Sequence, residues 1–178
     1  MTELENEGKT PAYMKLANCK FMLSLRENQD DTALKDKLMT GIQEGNMAPY
    51  YCVVCNELGW ELNEDLFLKM QEINRAKLLE YNKDGAVKSD DDGDDEPKFW
   101  QDKLEYLCSI GDKETSLSLA TVKSQDTTLS INSRLEAIFT IFRIAYFHDC
   151  NLKLMRDAIE KATQLIESGG DWTARNKL

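Results

Sequence analysis

Residues 130–149, SINSRLEAIFTIFRIAYFHD, place apolar side chains around almost the whole circumference of a helix. A helix of this kind is either buried among other helices or crosses a membrane. No stretch of the chain reaches the roughly 18 to 20 continuous apolar residues of a membrane span. We therefore predict a central buried helix from Ser130 to about His148, with Ser133 and Glu136 spaced as a capping box at its start.

The sequence on either side of this helix predicts further amphipathic helices. A helix from about Asn151 to Ser168, closed by Gly169-Gly170, should bury one apolar stripe. That stripe comprises Met155, Ala158, Ile159, Ala162, Leu165 and Ile166. A helix starting at Pro97 should bury Trp100, Leu104, Leu107 and Cys108, and Asp112 should cap a Ser- and Thr-rich helix over 113–126.

Four more helices are predicted in the first half of the chain. Thr10 is a candidate cap for a helix over 11–25, and Asp30 or Asp31 for a second that ends before Gly45. A third should run over 46–58 and stop at Gly59, and Asn63 should cap the fourth. The three prolines all lie where a helix is predicted to start, which also favours an all-helical chain.

The segment over 85–96, GAVKSDDDGDDE, combines repelling carboxylates with few bulky apolar residues. We predict a flexible acidic loop there, which separates amino-terminal helical hairpins (1–84) from helical repeats (97–178). Gly111-Asp112 and His148-Asp149 are predicted turns 37 residues apart, near the tetratricopeptide period of roughly 34. The predicted fold class is all-α, with helical hairpins stacked as a tetratricopeptide-like solenoid.

The composition disfavours two classes of partner. A formal net charge of −10 and an isoelectric point near 4.7 oppose binding to nucleic acid or to an anionic membrane surface.

The start of the chain lacks the features of a signal peptide, so we expect a soluble, intracellular protein. The number of cysteines is odd, and most sit among apolar neighbours, which fits a reducing compartment. They are Cys19, Cys52, Cys55, Cys108 and Cys150.

Three features of the sequence are candidates for catalysis or metal binding. Cys52 and Cys55 form a Cys-x-x-Cys, but no second pair completes a zinc site, so two packed thiols are favoured. His148-Asp149 has no apparent nucleophile to serve and is interpreted as a helix-end turn. The acidic run over 90–95 cannot be an EF-hand, because aligning its glycine puts Lys88 and Phe99 at ligand positions. We predict no enzyme activity, no small-molecule substrate, and no catalytic, cofactor-binding or metal-binding residues.

Aromatic side chains cluster in two places. Tyr50-Tyr51 is one, and the other is in the central helix, with Phe139, Phe142, Tyr146 and Phe147. Such residues could form partner grooves, but their helical spacing favours core packing.

Three strings resemble a known family in the same order: NMAPYY over 46–51, EYLCSIGDKE over 105–114 and IESGGDWTARNKL over 166–178. They are similar to the PCI-containing lid subunits of the proteasome regulatory particle, in the family of 26S non-ATPase regulatory subunit 6. The likeness spans about 47–178. It implies a helical-repeat arm that leads into a PCI winged-helix module, which this chain should lack as a fragment of a longer protein. The acidic loop departs from the charged helix expected in relatives.

The resemblance also implies a role. It is that of a non-catalytic structural subunit in the cytoplasm and nucleus, which needs no cofactor. Through contacts with lid and base subunits, it would support lid assembly and the ATP-dependent degradation of ubiquitinated proteins. A COP9 signalosome PCI subunit and a free-standing tetratricopeptide-like adaptor remain alternatives. The adaptor should line one continuous face with polar or basic residues, whereas a scaffold should leave apolar patches on helix edges.

Overall fold

The computed structural model describes residues 11, 13–87 and 99–169. Within these ranges the chain contains α-helices, one short 3-10 helix at Arg26–Asn28 and no strand. The α-helices are α1 (Met14–Ser24), α2 (Thr32–Glu44), α3 (Ala48–Leu58), α4 (Glu64–Val87), α5 (Phe99–Ile110), α6 (Lys113–Gln125), α7 (Ile131–Asp149) and α8 (Leu152–Glu167). This confirms the predicted all-α, helical-repeat class.

Residue contacts divide the chain into two compact units, 1–74 and 75–178, with the division inside α4. The predicted separation of domains at residue 84 stays a prediction. The loop predicted over 85–96 begins too early, because α4 continues to Val87 before the aspartate run starts at Asp90. The remainder of that segment lies outside the described residues, as do Thr10 and Gly170.

In the first unit, α1, α2 and α3 pack against one another. Their shared core is formed by Leu16, Cys19, Leu23, Leu38, Ile42, Tyr50, Tyr51 and Val54. The helix ends follow the predicted local signals: the Asp31 side chain accepts from the Leu34 N–H at 3.0 Å, and Asn63 accepts from the Leu66 N–H at 3.0 Å. Gly59 ends α3 with φ of 66°, a left-handed conformation that glycine adopts without strain.

In the second unit, each helix from α5 to α8 packs against the next, so α7 lies between α6 and α8. The predicted stripe of α5 is buried, and so is most of α7. The largest fully buried side chains of this unit include Leu107, Ile110 and Leu135. The central position predicted for α7 is therefore confirmed, although one side of this helix is less covered than the sequence predicts.

Two local predictions in the second unit were wrong. The N-cap of α7 is Ser130, whose hydroxyl accepts from the Ser133 N–H at 3.1 Å, and not Ser133 as the predicted capping box requires. His148-Asp149 is not a turn, because α7 continues through Asp149. The chain turns at Cys150, whose φ is 48°, and Asn151 then caps α8 by accepting from the Leu154 N–H at 3.0 Å.

Candidate functional site

The Cys-x-x-Cys lies inside α3, where Cys55 is buried and Cys52 is partly exposed. Burial raises the pKa of both thiols, which keeps them protonated near neutral pH. A thiol must lose its proton to act as a nucleophile or as a metal ligand. Across residues 13–87 and 99–169, no group of three or more His, Cys, Asp or Glu side chains is arranged to hold a metal ion. The geometry is that of two packed thiols.

His148 and Asp149 point to different environments. His148 is buried within α7 and makes an edge-on contact with the Phe147 ring at 4.9 Å between centroids. Asp149 is exposed and accepts from the Lys113 ammonium at 3.1 Å. This ion pair links the start of α6 to the end of α7, so the described contacts of Asp149 are structural. The acidic run over 90–95 lies outside the described residues.

No helix in the described part of the chain combines the length and the apolar character that spanning a bilayer requires. Even α7, whose sequence is apolar nearly all round, has charged residues such as Arg134 and Arg143 along it.

The aromatic clusters divide into buried and exposed members. Tyr50, Tyr51 and Phe147 are buried, as their helical spacing predicts. Tyr51 also fixes the start of α4, because its hydroxyl accepts from the Asn63 N–H at 3.1 Å. These residues therefore belong to the cores of their units.

Phe139, Phe142 and Tyr146 form what we call the α7 stripe. Their spacing of three and four residues places them on one side of α7. Phe139 and Phe142 are half-buried and Tyr146 is 45% exposed, whereas the opposite side of the helix is buried. The prediction that Phe142 belongs to the core was therefore wrong, since neither α6 nor α8 covers it fully.

Leu152, Met155 and Ile159 form the α8 stripe, with the same spacing on α8. Leu152 is 68% exposed, Ile159 is 49% exposed and Met155 is half-buried. In contrast, Ala158, Ala162, Leu165 and Ile166 are buried as predicted. The sequence predicted one continuous core stripe here, and this was wrong at Ile159, which is exposed although α8 packs on α7.

The fold and these surfaces define a class of protein: an all-helical repeat protein whose uncovered features are apolar helix stripes suited to contact with other proteins. A family model described as 26S proteasome subunit RPN7 matches residues 63–178. Because this match covers more than half of the chain, the protein belongs to that family of 26S proteasome subunits.

Individual relatives agree with the family match. The 26S proteasome non-ATPase regulatory subunit 6 of Caenorhabditis elegans is 29% identical over 168 residues, covering 93% of this chain and 40% of the relative. The Dictyostelium discoideum protein of the same name is 27% identical over 167 residues, covering 92% and 42%. The 26S proteasome regulatory subunit RPN7 of Saccharomyces cerevisiae is 26% identical over 162 residues, covering 79% and 37%. The chain thus spans about two fifths of the length of these curated relatives.

Proposed function

We propose that this protein is a non-catalytic structural subunit of the proteasome regulatory-particle lid. In this role it supports assembly and the ATP-dependent degradation of ubiquitinated proteins through contacts with lid and base subunits, in the cytoplasm and the nucleus. Membership of a 26S proteasome subunit family is the observation that carries the proposal. The relatives are named regulatory subunits, which agrees with a role other than catalysis.

The exposed stripes supply the physical support. Large apolar side chains at regular helical spacing cost free energy in water, and a partner helix that covers them recovers roughly 25 cal/mol for each Å² buried. Tyr146 of the α7 stripe is exposed, as are Leu152 and Ile159 of the α8 stripe, and the other members of both stripes are partly exposed. Apolar surfaces of this kind on helix edges are what a scaffold is expected to leave uncovered in isolation.

The decisive experiment is affinity capture of the tagged full-length protein from its own cells, followed by mass spectrometry. Recovery of lid and base subunits in stoichiometric amounts is the expected result. Recovery of COP9 signalosome subunits instead would overturn the proposal in favour of the rival complex, and recovery of neither would favour a free-standing adaptor.

A paired variant tests whether the α8 stripe takes part. Leu152→Ser with Ile159→Ser should reduce the lid subunits recovered, because it removes the two most exposed apolar side chains of α8. The matched control, Lys153→Ser with Glu160→Ser, alters two exposed polar residues one position further along the same helix. Equal recovery with both pairs, at equal helical content by circular dichroism, would show that this stripe is not a contact surface.

A further inference from the structure

A cleft of about 390 Å³ opens in the second unit, where the end of α6, the start of α7 and the second half of α8 meet. Its volume falls within the range of roughly 300–1,000 Å³ that is typical of ligand-binding clefts. Ile138 and Leu165 contribute the apolar part of its lining, and both are largely buried. None of the described residues considered above for catalysis or metal binding lines this cleft, and no residue of the α7 stripe or the α8 stripe does so.

Among the residues that the structure describes, the charged side chains that line this cleft are positive: Arg134 from α7 and Lys161 from α8. Gln125 and Gln164 also line it, and no acidic residue belongs to this described part of the lining. This is unusual for a chain with a net charge of −10. The cleft is therefore a local concentration of positive charge.

The cations of the cleft have no acidic partner among the residues that the structure describes. Arg134 donates through Nε to the Ser124 carbonyl at 3.2 Å, which orients the guanidinium and leaves its terminal amino groups for another acceptor. No ion pair is formed by Lys161 within the same described ranges. The guanidinium is thus positioned before any ligand arrives.

The acidic residues adjacent in sequence to Gln125 and Lys161 each have a partner. Asp126 follows directly after Gln125 but accepts from the Thr128 hydroxyl at 2.6 Å and pairs with Lys123 at 3.7 Å. Glu160 precedes Lys161 and accepts from the side-chain amide of Gln164, a lining residue, at 3.4 Å. This carboxylate offsets at most one of the two cations, so the cleft keeps a net positive charge.

We propose that this cleft, with Arg134 and Lys161 at its edge and Ile138 and Leu165 within, binds an acidic segment of a partner polypeptide. One apolar side chain of the segment packs on Ile138 and Leu165. Flanking carboxylates accept from the guanidinium and the ammonium, which form stronger hydrogen bonds to anions than to neutral groups. A small inorganic anion would satisfy the cations and leave the apolar surface uncovered, which is why a peptide is the better fit.

The inference goes beyond the proposed assembly role, because it specifies the chemistry of one docked segment. It is tested with the full chain and a synthetic peptide. If the peptide does not bind, this inference is overturned, but the proposed role in the lid is not, because the capture experiment tests that role separately.

The test is a titration of the ¹⁵N-labelled full chain with the peptide Glu-Glu-Leu-Asp-Glu, blocked at both termini. Binding is monitored through the backbone amide chemical shifts of the protein. The expected shifts are confined to the end of α6, the start of α7 and the second half of α8. Arg134→Gln with Lys161→Gln should weaken binding by about tenfold or more, since two charge-assisted contacts are lost. Lys37→Gln with Lys153→Gln makes the same change in net charge at exposed positions and should bind as the unaltered chain does.

Two further arms keep the result unambiguous. Lys161→Gln alone leaves the Arg134 bond to Ser124 intact and should still weaken binding by several-fold, so loss of folding cannot account for the effect. Equal binding of the peptide Gln-Gln-Leu-Asn-Gln would overturn the proposal. So would shifts of the same size and location with inorganic phosphate alone, or no shifts at the cleft with the acidic peptide.

Discussion

Gly41 of α2 lies directly against Leu16 of α1: a β-carbon at position 41 would stand 2.6 Å from Leu16 Cδ2. Leu16 is only 7% exposed, so its side chain has little room to move away. The absence of a side chain at position 41 therefore sets how closely the first two helices approach each other.

Gly41→Ala should destabilise the protein even though alanine is the better helix former. Overpacking a filled core costs about 1–3 kcal/mol, whereas replacing a mid-helix glycine returns at most about 1 kcal/mol. We expect a net loss of about 1 kcal/mol in the free energy of unfolding, measured by urea denaturation.

The double variant Leu16→Ala with Gly41→Ala serves as the control for this prediction. Truncating Leu16 removes the atoms that the new methyl group meets, so the two changes should be less costly together than the sum of their separate effects. Strict additivity of the two changes would contradict the close approach.

The central helix offers a second prediction, based on two residues of different burial. Ile138 is 3% exposed, so Ile138→Ala should cost about 2–4 kcal/mol through lost burial and a cavity. Phe142 is half-buried on the α7 stripe, so Phe142→Ala should cost only about 1–2 kcal/mol. Thermal and urea unfolding of both variants would check this order, and a larger loss for Phe142→Ala would show that the stripe is covered within the chain.

This contrast shows where sequence reasoning succeeds and where it stops. The caps at Asp31, Asn63 and Asp112 follow from local rules, because a side chain and an amide three residues away decide them. The uncovered side of α7 does not follow from local rules. When a helix is apolar all round, its sequence does not indicate which face the neighbouring helices leave exposed. Periodicity assigned Phe142 and Ile159 to the core for this reason.

The cleft was missed for a related reason. Arg134 and Lys161 lie on different helices and share no motif, so only the packing of α6, α7 and α8 brings them together. Charged residues on predicted helices are ordinarily assigned to the solvated face.

The turn between α5 and α6 supports a third prediction. The Asp112 carboxylate accepts from the Thr115 N–H at 3.0 Å and caps α6. Asp112→Ala should cost about 1 kcal/mol because the first turn of α6 loses an acceptor. Asp112→Asn keeps an acceptor oxygen at the same place and should retain most of the stability in the same urea titration. Equal losses for the two variants would show that the cap contributes little here.

The last prediction concerns alkaline pH and Cys108. Burial in the second unit raises the pKa of this thiol from 9.0 to about 11. Between these values the folded chain keeps a proton that the unfolded chain releases, so stability is complete below pH 9 and falls as the pH rises towards 11. Burial raises the pKa of Cys52, Cys55 and Tyr51 as well, so these groups also make the folded protein less stable as the pH rises.

Cys108→Ala isolates the contribution of this one thiol. Urea unfolding under reducing conditions at pH 8, 9, 10 and 11 should show a shallower decline for this variant than for the unaltered chain, by about 2 kcal/mol over the range. Cys150→Ala, at an exposed position, is the matched control and should decline as the unaltered chain does. If Cys108→Ala declined as steeply as the control, the thiol would have to be accessible to water in the folded protein, and α5 could not pack on α6 as closely as the structure shows.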